Sequence, residues 1–366
     1  MNPIAATLNE TIAGANRHVF EMLSSIGEQL FFPKGILTQS AEAKQQAHRT
    51  NATAGIATEK GEIMRLETVA AYVHNMPAAD ALNYAPSFGI LPLREHWQKE
   101  LYAKNVSLAG KQISLPVVTN GITHGVSTTA DLWVDPGDMV VVPEMMWGNY
   151  NMIFQVKHGA RFATYPMFDD QGGFDLTGFG TAIDEAAQGQ PKIMVILNFP
   201  HNPSGYSVSE HEGREIVRIL ARKADEGVNV IAVCDDAYFG LFYEPQILKE
   251  SLFAQLSDRH ERLLAVKLDG ATKENYVWGL RVGFITYGCK MAGEPAQFYE
   301  ALEKKTAGCI RGTISNASHI GQSIVLKSMQ DPQYQAQKAA KFEIMKGRAE
   351  RVKAVLADPK YGAAWQ

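Results

Sequence analysis

Between about residues 115 and 287, short runs of β-branched and other apolar residues recur: Ser114–Val118, Met139–Val142, Ile193–Leu197, Val228–Val233, Leu263–Lys267 and Gly283–Tyr287. Runs this short and this uniformly apolar predict strands buried on both faces. Between several of them the apolar positions return at helical spacing. One such helix follows Asn202–Gly205, where Ser207 and Glu210 are spaced as a capping box and Ile216, Val217, Ile219 and Leu220 form an apolar face. Strands alternating with helices predict an α/β fold, a mostly parallel (mixed) sheet of about seven strands sandwiched by helices.

The two ends break this rhythm. Ala13–Leu30 reads as helix and the residues after it as polar and irregular, while Asp331–Leu356 reads as one long amphipathic helix rich in Ala, Lys, Arg and Glu. A smaller α+β domain built from both chain ends is therefore expected. The division is 1–75 as N-terminal arm and part of the small domain, 76–310 as the large domain, and 311–366 as the start of the C-terminal small domain. Neither an internal repeat nor a low-complexity segment stands out.

Composition narrows the classes. The 366 residues are 46% hydrophobic, enough for a large core with a deep site, and the formal charge of −4 is spread without a basic run. Nucleic-acid binding is not expected. The first residues lack a basic segment followed by an apolar one, and no apolar stretch approaches bilayer length, so a soluble cytoplasmic protein is expected. Cys234, Cys289 and Cys309 have no metal-like spacing and cannot all pair, which fits a reducing compartment. Cys234 reads as a buried apolar residue at a strand end, and His124 and His201 as hydrogen-bonded scaffold. No metal is expected.

On sheets of this kind ligands sit beyond the carboxyl ends of the strands, and the polar motifs fall there. Asn202-Pro203-Ser204-Gly205 follows one strand, Asp235-Asp236-Ala237-Tyr238 the next, and Lys273 lies after another, with Gly279, Arg281 and Gly283 behind it. Singly each has a bland reading: a turn, an acidic turn, a solvated lysine beside Glu274. Together they supply an amine, an acid buried at a strand end that needs a cation, a phenol, an amide and a guanidinium suited to phosphate. Asp236 reads as the solvated or capping neighbour of Asp235. Thr119–Gly125 follows a strand and opens a helix, so the N–H groups of Gly121, Ile122 and Thr123 can meet an anion at the positive end of that helix.

Lys273 with Gly279-Leu280-Arg281-Val282-Gly283, in this order after the Asn-Pro and Asp-x-x-Tyr motifs, resembles the class I/II aminotransferases, the aspartate aminotransferase-like pyridoxal phosphate enzymes of fold type I. The resemblance covers about residues 50–355 and implies a pyridoxal 5′-phosphate cofactor. It implies that Lys273 holds the cofactor aldehyde as an aldimine and later moves the substrate Cα proton. Arg281 would bind the phosphate, Asp235 the pyridine nitrogen, and Asn202 and Tyr238 the phenolic oxygen. Gly121, Ile122 and Thr123 would line the phosphate cup, and Trp147, after Pro143-Glu144-Met145-Met146, would cover the ring; a core aromatic is the competing reading for Trp147. Tyr84, near Gly89, Leu93 and Arg94, would cross a homodimer interface to the partner's phosphate. Gly55, in Asn51–Gly55, would touch the substrate carboxylate. Arg311, before Ser315-Asn316, would meet a distal carboxylate or be a surface arginine.

The implied reaction moves an amino group from an L-amino acid to a 2-oxo acid such as 2-oxoglutarate. The motifs do not separate it from an elimination or cyclisation on the same cofactor, or from a non-catalytic cofactor-binding protein. Two departures stand out. Gly270 occupies the position of a phosphate-binding serine, implying weaker phosphate binding or compensation by Thr272. The family also has further strands, a helix and an α-carboxylate arginine after the equivalent of residue 366, whereas no Arg follows Arg351. Either the chain is cut inside its small domain or that anchor is missing.

Overall fold

A computed structural model describes residues 1–32, 36–51, 53, 55–364; Ala52 and Ala54 of the Asn51–Gly55 segment lie outside the described residues. A two-stranded ribbon, β1 (Thr58–Glu59) and β2 (Glu62–Ile63), precedes a seven-stranded sheet. The strands of that sheet are β3 (Val117–Thr119), β4 (Met139–Pro143), β5 (Arg161–Tyr165), β6 (Lys192–Leu197), β7 (Asn229–Asp235), β8 (Leu263–Gly270) and β9 (Gly283–Cys289). Their spatial order is β3-β9-β8-β7-β6-β4-β5. All pairs are parallel except the two made by β9.

Six strands match the apolar runs, and the seventh, β5, was invisible to that pattern. Its sequence Arg-Phe-Ala-Thr-Tyr is amphipathic and lies at the sheet edge beside β4, where only Tyr165 is fully buried. Central β6, β7 and β8 are covered on both faces, which is why their residues are apolar almost without a break. One layer centres on Phe179, Ile216, Leu220, Phe253 and Ala265, and the other on Val126, Phe154, Val233, Val266 and Ile285.

Three local expectations are corrected. The helix after the Asn-Pro motif runs Glu210–Asp225, and its capping box is Ser209 with Glu212, not Ser207 with Glu210: the Ser209 hydroxyl accepts from the Glu212 N–H while Glu212 accepts from the Ser209 N–H. The N-terminal stretch forms three helices, Pro3–Ala15, Arg17–Glu21 and Ser25–Gln29, because Asn16 and Ser24 each cap a new one. The C-terminal helix begins at Tyr334, after the Asp331-Pro332 turn. That helix touches the N-terminal part of the chain: Lys341 pairs with Glu59 at 2.5 Å, Arg348 donates to the Thr58 carbonyl at 2.7 Å, and Gln337 accepts from the Thr68 N–H at 3.0 Å. Among the described residues no helix is long and apolar enough to cross a membrane.

Candidate active site

The polar motifs converge at the carboxyl edge of β6, β7 and β8. Asp235 is the last residue of β7 and is 3% exposed. Its Oδ2 accepts a 2.5 Å hydrogen bond from the Tyr150 hydroxyl, and its Oδ1 accepts from the Ala237 N–H at 3.2 Å. Burial raises its pKa above the usual carboxylate range, while the Tyr150 hydrogen bond and the charge of Lys273 oppose that rise. Its carbonyl accepts from the Asn198 side chain at 2.7 Å, and Asn198 Oδ1 in turn accepts from the Asn202 N–H at 2.8 Å. A polar chain thus ties the β6 loop to the end of β7. The Asn202 side chain itself bonds to no described residue.

Lys273 stands on the short Ala271–Glu274 helix that β8 runs straight into. Its Nζ lies 4.8 Å from the centre of the Tyr238 ring. Burial lowers its pKa, the nearby Asp235 carboxylate opposes the fall, and Arg281 adds to it. These three side chains therefore share one electrostatic neighbourhood. Glu274 points the other way: it is buried and paired with Lys104, at 2.5 Å, and with Lys338. Lys273 is accordingly not the solvated lysine its neighbour suggested.

Arg281 sits across a glycine-lined gap. It adopts a left-handed backbone (φ 55°), and its guanidinium packs so closely on Gly121 that a Cβ there would lie 2.4 Å from Arg281 Nη2. Gly121 itself has φ 79° and caps the Ile122–Trp133 helix without a side-chain cap. The N–H groups of Ile122 and Thr123 bond to no described residue. The guanidinium has one weak partner, the Trp278 carbonyl at 3.5 Å. Two free amide donors at a helix N-terminus, a bare glycine and an arginine without a carboxylate form a cradle suited to an anion such as a phosphate group.

Trp147 is half-buried and meets Tyr150 edge-on, with centroids 5.5 Å apart at 88°. It packs against the core layer that contains Tyr150 without being enclosed in it. His124 Nδ1 accepts from the Asn120 N–H and its Nε2 meets Thr313, while His201 bonds to Ser204; both are hydrogen-bonded scaffold. Cys234 is buried.

Three other expected residues are exposed. Tyr84 is 91% exposed. Gly55 is exposed with no atom near its Cβ position. Arg311 is exposed near the end of the Pro295–Thr313 helix and bonds to Ser315 at 3.2 Å. The structure corrects Asp236: it is 5% exposed and bonded to Lys267 and Ser251, not solvated, because the strand's alternation turns it to the sheet face opposite Asp235. It also adds Tyr150 and Asn198, which sequence reasoning did not single out for the site. Tyr150 lies three residues after Trp147, and nothing in the spacing showed it reaching the end of β7.

Comparison with known proteins bears on this geometry. Residues 67–365 match the family model described as aminotransferase class I and II. A cytoplasmic aspartate aminotransferase of Saccharomyces cerevisiae is 28% identical over 228 residues, which are 61% of this chain and 52% of that protein. A probable N-acetyl-LL-diaminopimelate aminotransferase of Bacillus subtilis is 28% identical over 206 residues, 56% of this chain and 47% of that protein. The matched stretch thus spans about half the length of these curated relatives. The crystal structure of an aminotransferase from Anaerococcus prevotii superposes with a TM-score of 0.78 at 23% identity, covering 92% of this chain and 82% of that one. At that identity the likeness speaks for the fold.

Proposed function

The chain belongs to the class I and II aminotransferase family, which is pyridoxal phosphate-dependent, and from that footing we propose that it transfers an amino group from an L-amino acid to a 2-oxo acid. The observation that carries this reading is Lys273 Nζ lying over Tyr238 within the field of both Asp235 and Arg281, beside an anion cradle.

The residues present fit the cofactor. Arg281 and the free N–H groups of Ile122 and Thr123 would hold the phosphate, with Gly121 leaving room for the guanidinium. Asp235 would keep a proton on the pyridine nitrogen; such a cation offsets the cost of burying the carboxylate. Tyr238 and Asn202, whose polar side-chain groups bond to no described residue, would donate to the phenolic oxygen, and Trp147 would shield the ring face from water. When bound, the cofactor supplies an electrophilic carbon and an electron sink. Burial favours the neutral amine of Lys273, the form able to act as nucleophile and to take the proton from a substrate Cα.

Arg311 would favour an acidic substrate or 2-oxoglutarate, and Gly55 would meet the substrate carboxylate. The exposure of Tyr84, beside Leu82 at 83% exposed, supports a homodimer in which Tyr84 serves the partner's site. Three cysteines without a disulfide support a cytoplasmic setting. The contacts of the Tyr334–Leu356 helix with Thr58, Glu59 and Thr68 support a small domain of 1–75 with 311–366, set against a large domain of 76–310.

The test is to reconstitute the protein with pyridoxal phosphate and follow its absorbance as acidic, aromatic and aliphatic amino acids are added in turn. The expected result is a visible band that depends on Lys273 and converts to the amine form of the cofactor with at least one donor. Normal turnover in Lys273→Ala would sink the proposal. So would a band that no amino acid converts.

A further inference from the structure

Directly beneath the site, on the opposite face of the sheet, lies a second set of buried charges that the chemistry above does not use. Lys267 on β8 is 0% exposed, and Asp236 and Asp269 are 5% and 2% exposed. Lys267 Nζ is hydrogen-bonded to Asp236 Oδ2 and lies 3.6 Å from Asp269 Oδ2. Asp236 also accepts from the Ser251 hydroxyl at 2.6 Å, and both Asp269 oxygens face Trp97 Nε1 at 3.2 Å. Burying three ionised groups is costly, and a merely apolar filling would serve stability at least as well. A positional role is the alternative to explain.

The connections of Lys267 supply one. Asp236 immediately follows Asp235, and its carbonyl accepts from the Phe239 N–H at 3.1 Å. Lys267 Nζ also stands 4.4 Å from the centre of the Phe239 ring, next in sequence to Tyr238. The lysine therefore grips both ends of the turn that carries Asp235 and Tyr238. It does so from β8, the strand that ends at Gly270 and leads directly into Lys273. Strand pairing helps, since Asp235 is in register with Leu268 and the Asp236 N–H donates to the Leu268 carbonyl at 2.8 Å, but it holds only the backbone.

We propose that Lys267 and Asp236 are positioning residues: a buried ion pair on the far face of the sheet that fixes the Asp235–Tyr238 turn relative to Lys273. The proposal rests on the aminotransferase reading for its purpose, but the geometry it asserts belongs to the protein alone. Loss of the pair lets Asp235 move away from Lys273, removing the charge that opposes deprotonation of the amine and leaving Lys273 more reactive without cofactor.

The test uses the full chain with both partners replaced, Lys267→Met with Asp236→Leu, so that no buried charge of the pair is left alone, and confirms folding by its thermal transition. Acylation of Lys273 in the cofactor-free protein is read by peptide mass spectrometry near neutral pH. The expected rate is at least about threefold above wild type, with affinity for pyridoxal phosphate about tenfold lower. Lys273 labelling and cofactor affinity both within twofold of wild type would overturn the proposal. Should the double variant not fold, Asp236→Asn, which keeps shape and the Ser251 contact, is read against the same thresholds. Faster Lys273 labelling in the double variant, with neither it nor wild type taking up cofactor, would instead count against the aminotransferase reading and leave the positioning pair standing.

Discussion

The Tyr150 hydroxyl donates to Asp235 Oδ2 at 2.5 Å, and it is the sole side-chain hydrogen bond that this buried carboxylate receives among the described residues. Both groups are fully enclosed, and burial drives the tyrosine pKa far above its ordinary value, so Tyr150 keeps its proton and always donates. A hydrogen bond to the ionised form lowers an acid's pKa. Tyr150 thus works against the burial that would otherwise neutralise Asp235.

Tyr150→Phe keeps the ring and removes the donor. Asp235 should then titrate at higher pH, so the acidic limb of kcat/KM moves upward. The unmet carboxylate oxygen should cost about 1–3 kcal/mol. A pH–rate profile and a denaturant titration check both. An unmoved acidic limb in a folded variant would mean that the Tyr150 hydroxyl does not tune this acid.

Gly121→Ala is expected to weaken cofactor binding about tenfold or more, since the new Cβ would meet Arg281 Nη2 at 2.4 Å and Cζ at 2.8 Å at a residue with φ 79°. The guanidinium is the part that must move. Equilibrium titration of pyridoxal phosphate, with thermal melting of the cofactor-free protein as control, separates a displaced arginine from a misfolded chain.

Gly270 changes the meaning of the absent serine. A Cβ there would lie 2.7 Å from the Val282 carbonyl oxygen and 2.9 Å from Gly283 Cα, both backbone atoms that no rotamer change relieves. Gly270→Ser should therefore lower stability by about 1–3 kcal/mol and leave phosphate binding no tighter. Thr272 is buried, and its hydroxyl bonds to no described residue. A serine variant as stable as wild type with higher cofactor affinity would refute the steric account.

Glu274 anchors the lysine's helix from behind. Burial alone would raise its pKa, but Lys104 and Lys338 outweigh it and hold the carboxyl at about 2 against 4.5 when free. A depressed acid contributes stability that is complete above its unfolded pKa and lost as pH falls toward its folded one. The protein should accordingly lose about 3 kcal/mol between roughly pH 5 and pH 2 from this group. Glu274→Gln should be less stable at neutral pH, and its stability should fall less steeply over that acid range. Parallel acid limbs for the two proteins in urea titrations would count against the ion-pair cluster.

What the sequence determined by itself was whatever follows from local pattern and chain order. Apolar runs such as Ile193–Leu197 and Val228–Val233 are strands because each is buried on both faces, a condition written into every residue. The order Asn202, Asp235, Lys273 places three chemical types after successive strands, whose carboxyl ends a parallel sheet brings together at one edge, and Arg281 joins them because it precedes the antiparallel β9. Tertiary structure decided whatever depends on direction across the sheet or distance through space. Asp235 and Asp236 are adjacent and identical in type, yet one faces Lys273 and the other Lys267, because successive residues of a strand point to opposite faces and only the packed layers say which face holds the site. Tyr150 lies eighty-five residues from its acid, and Lys338 sixty-four from Glu274. No periodicity records such pairings; they exist once the sheet has stacked its layers.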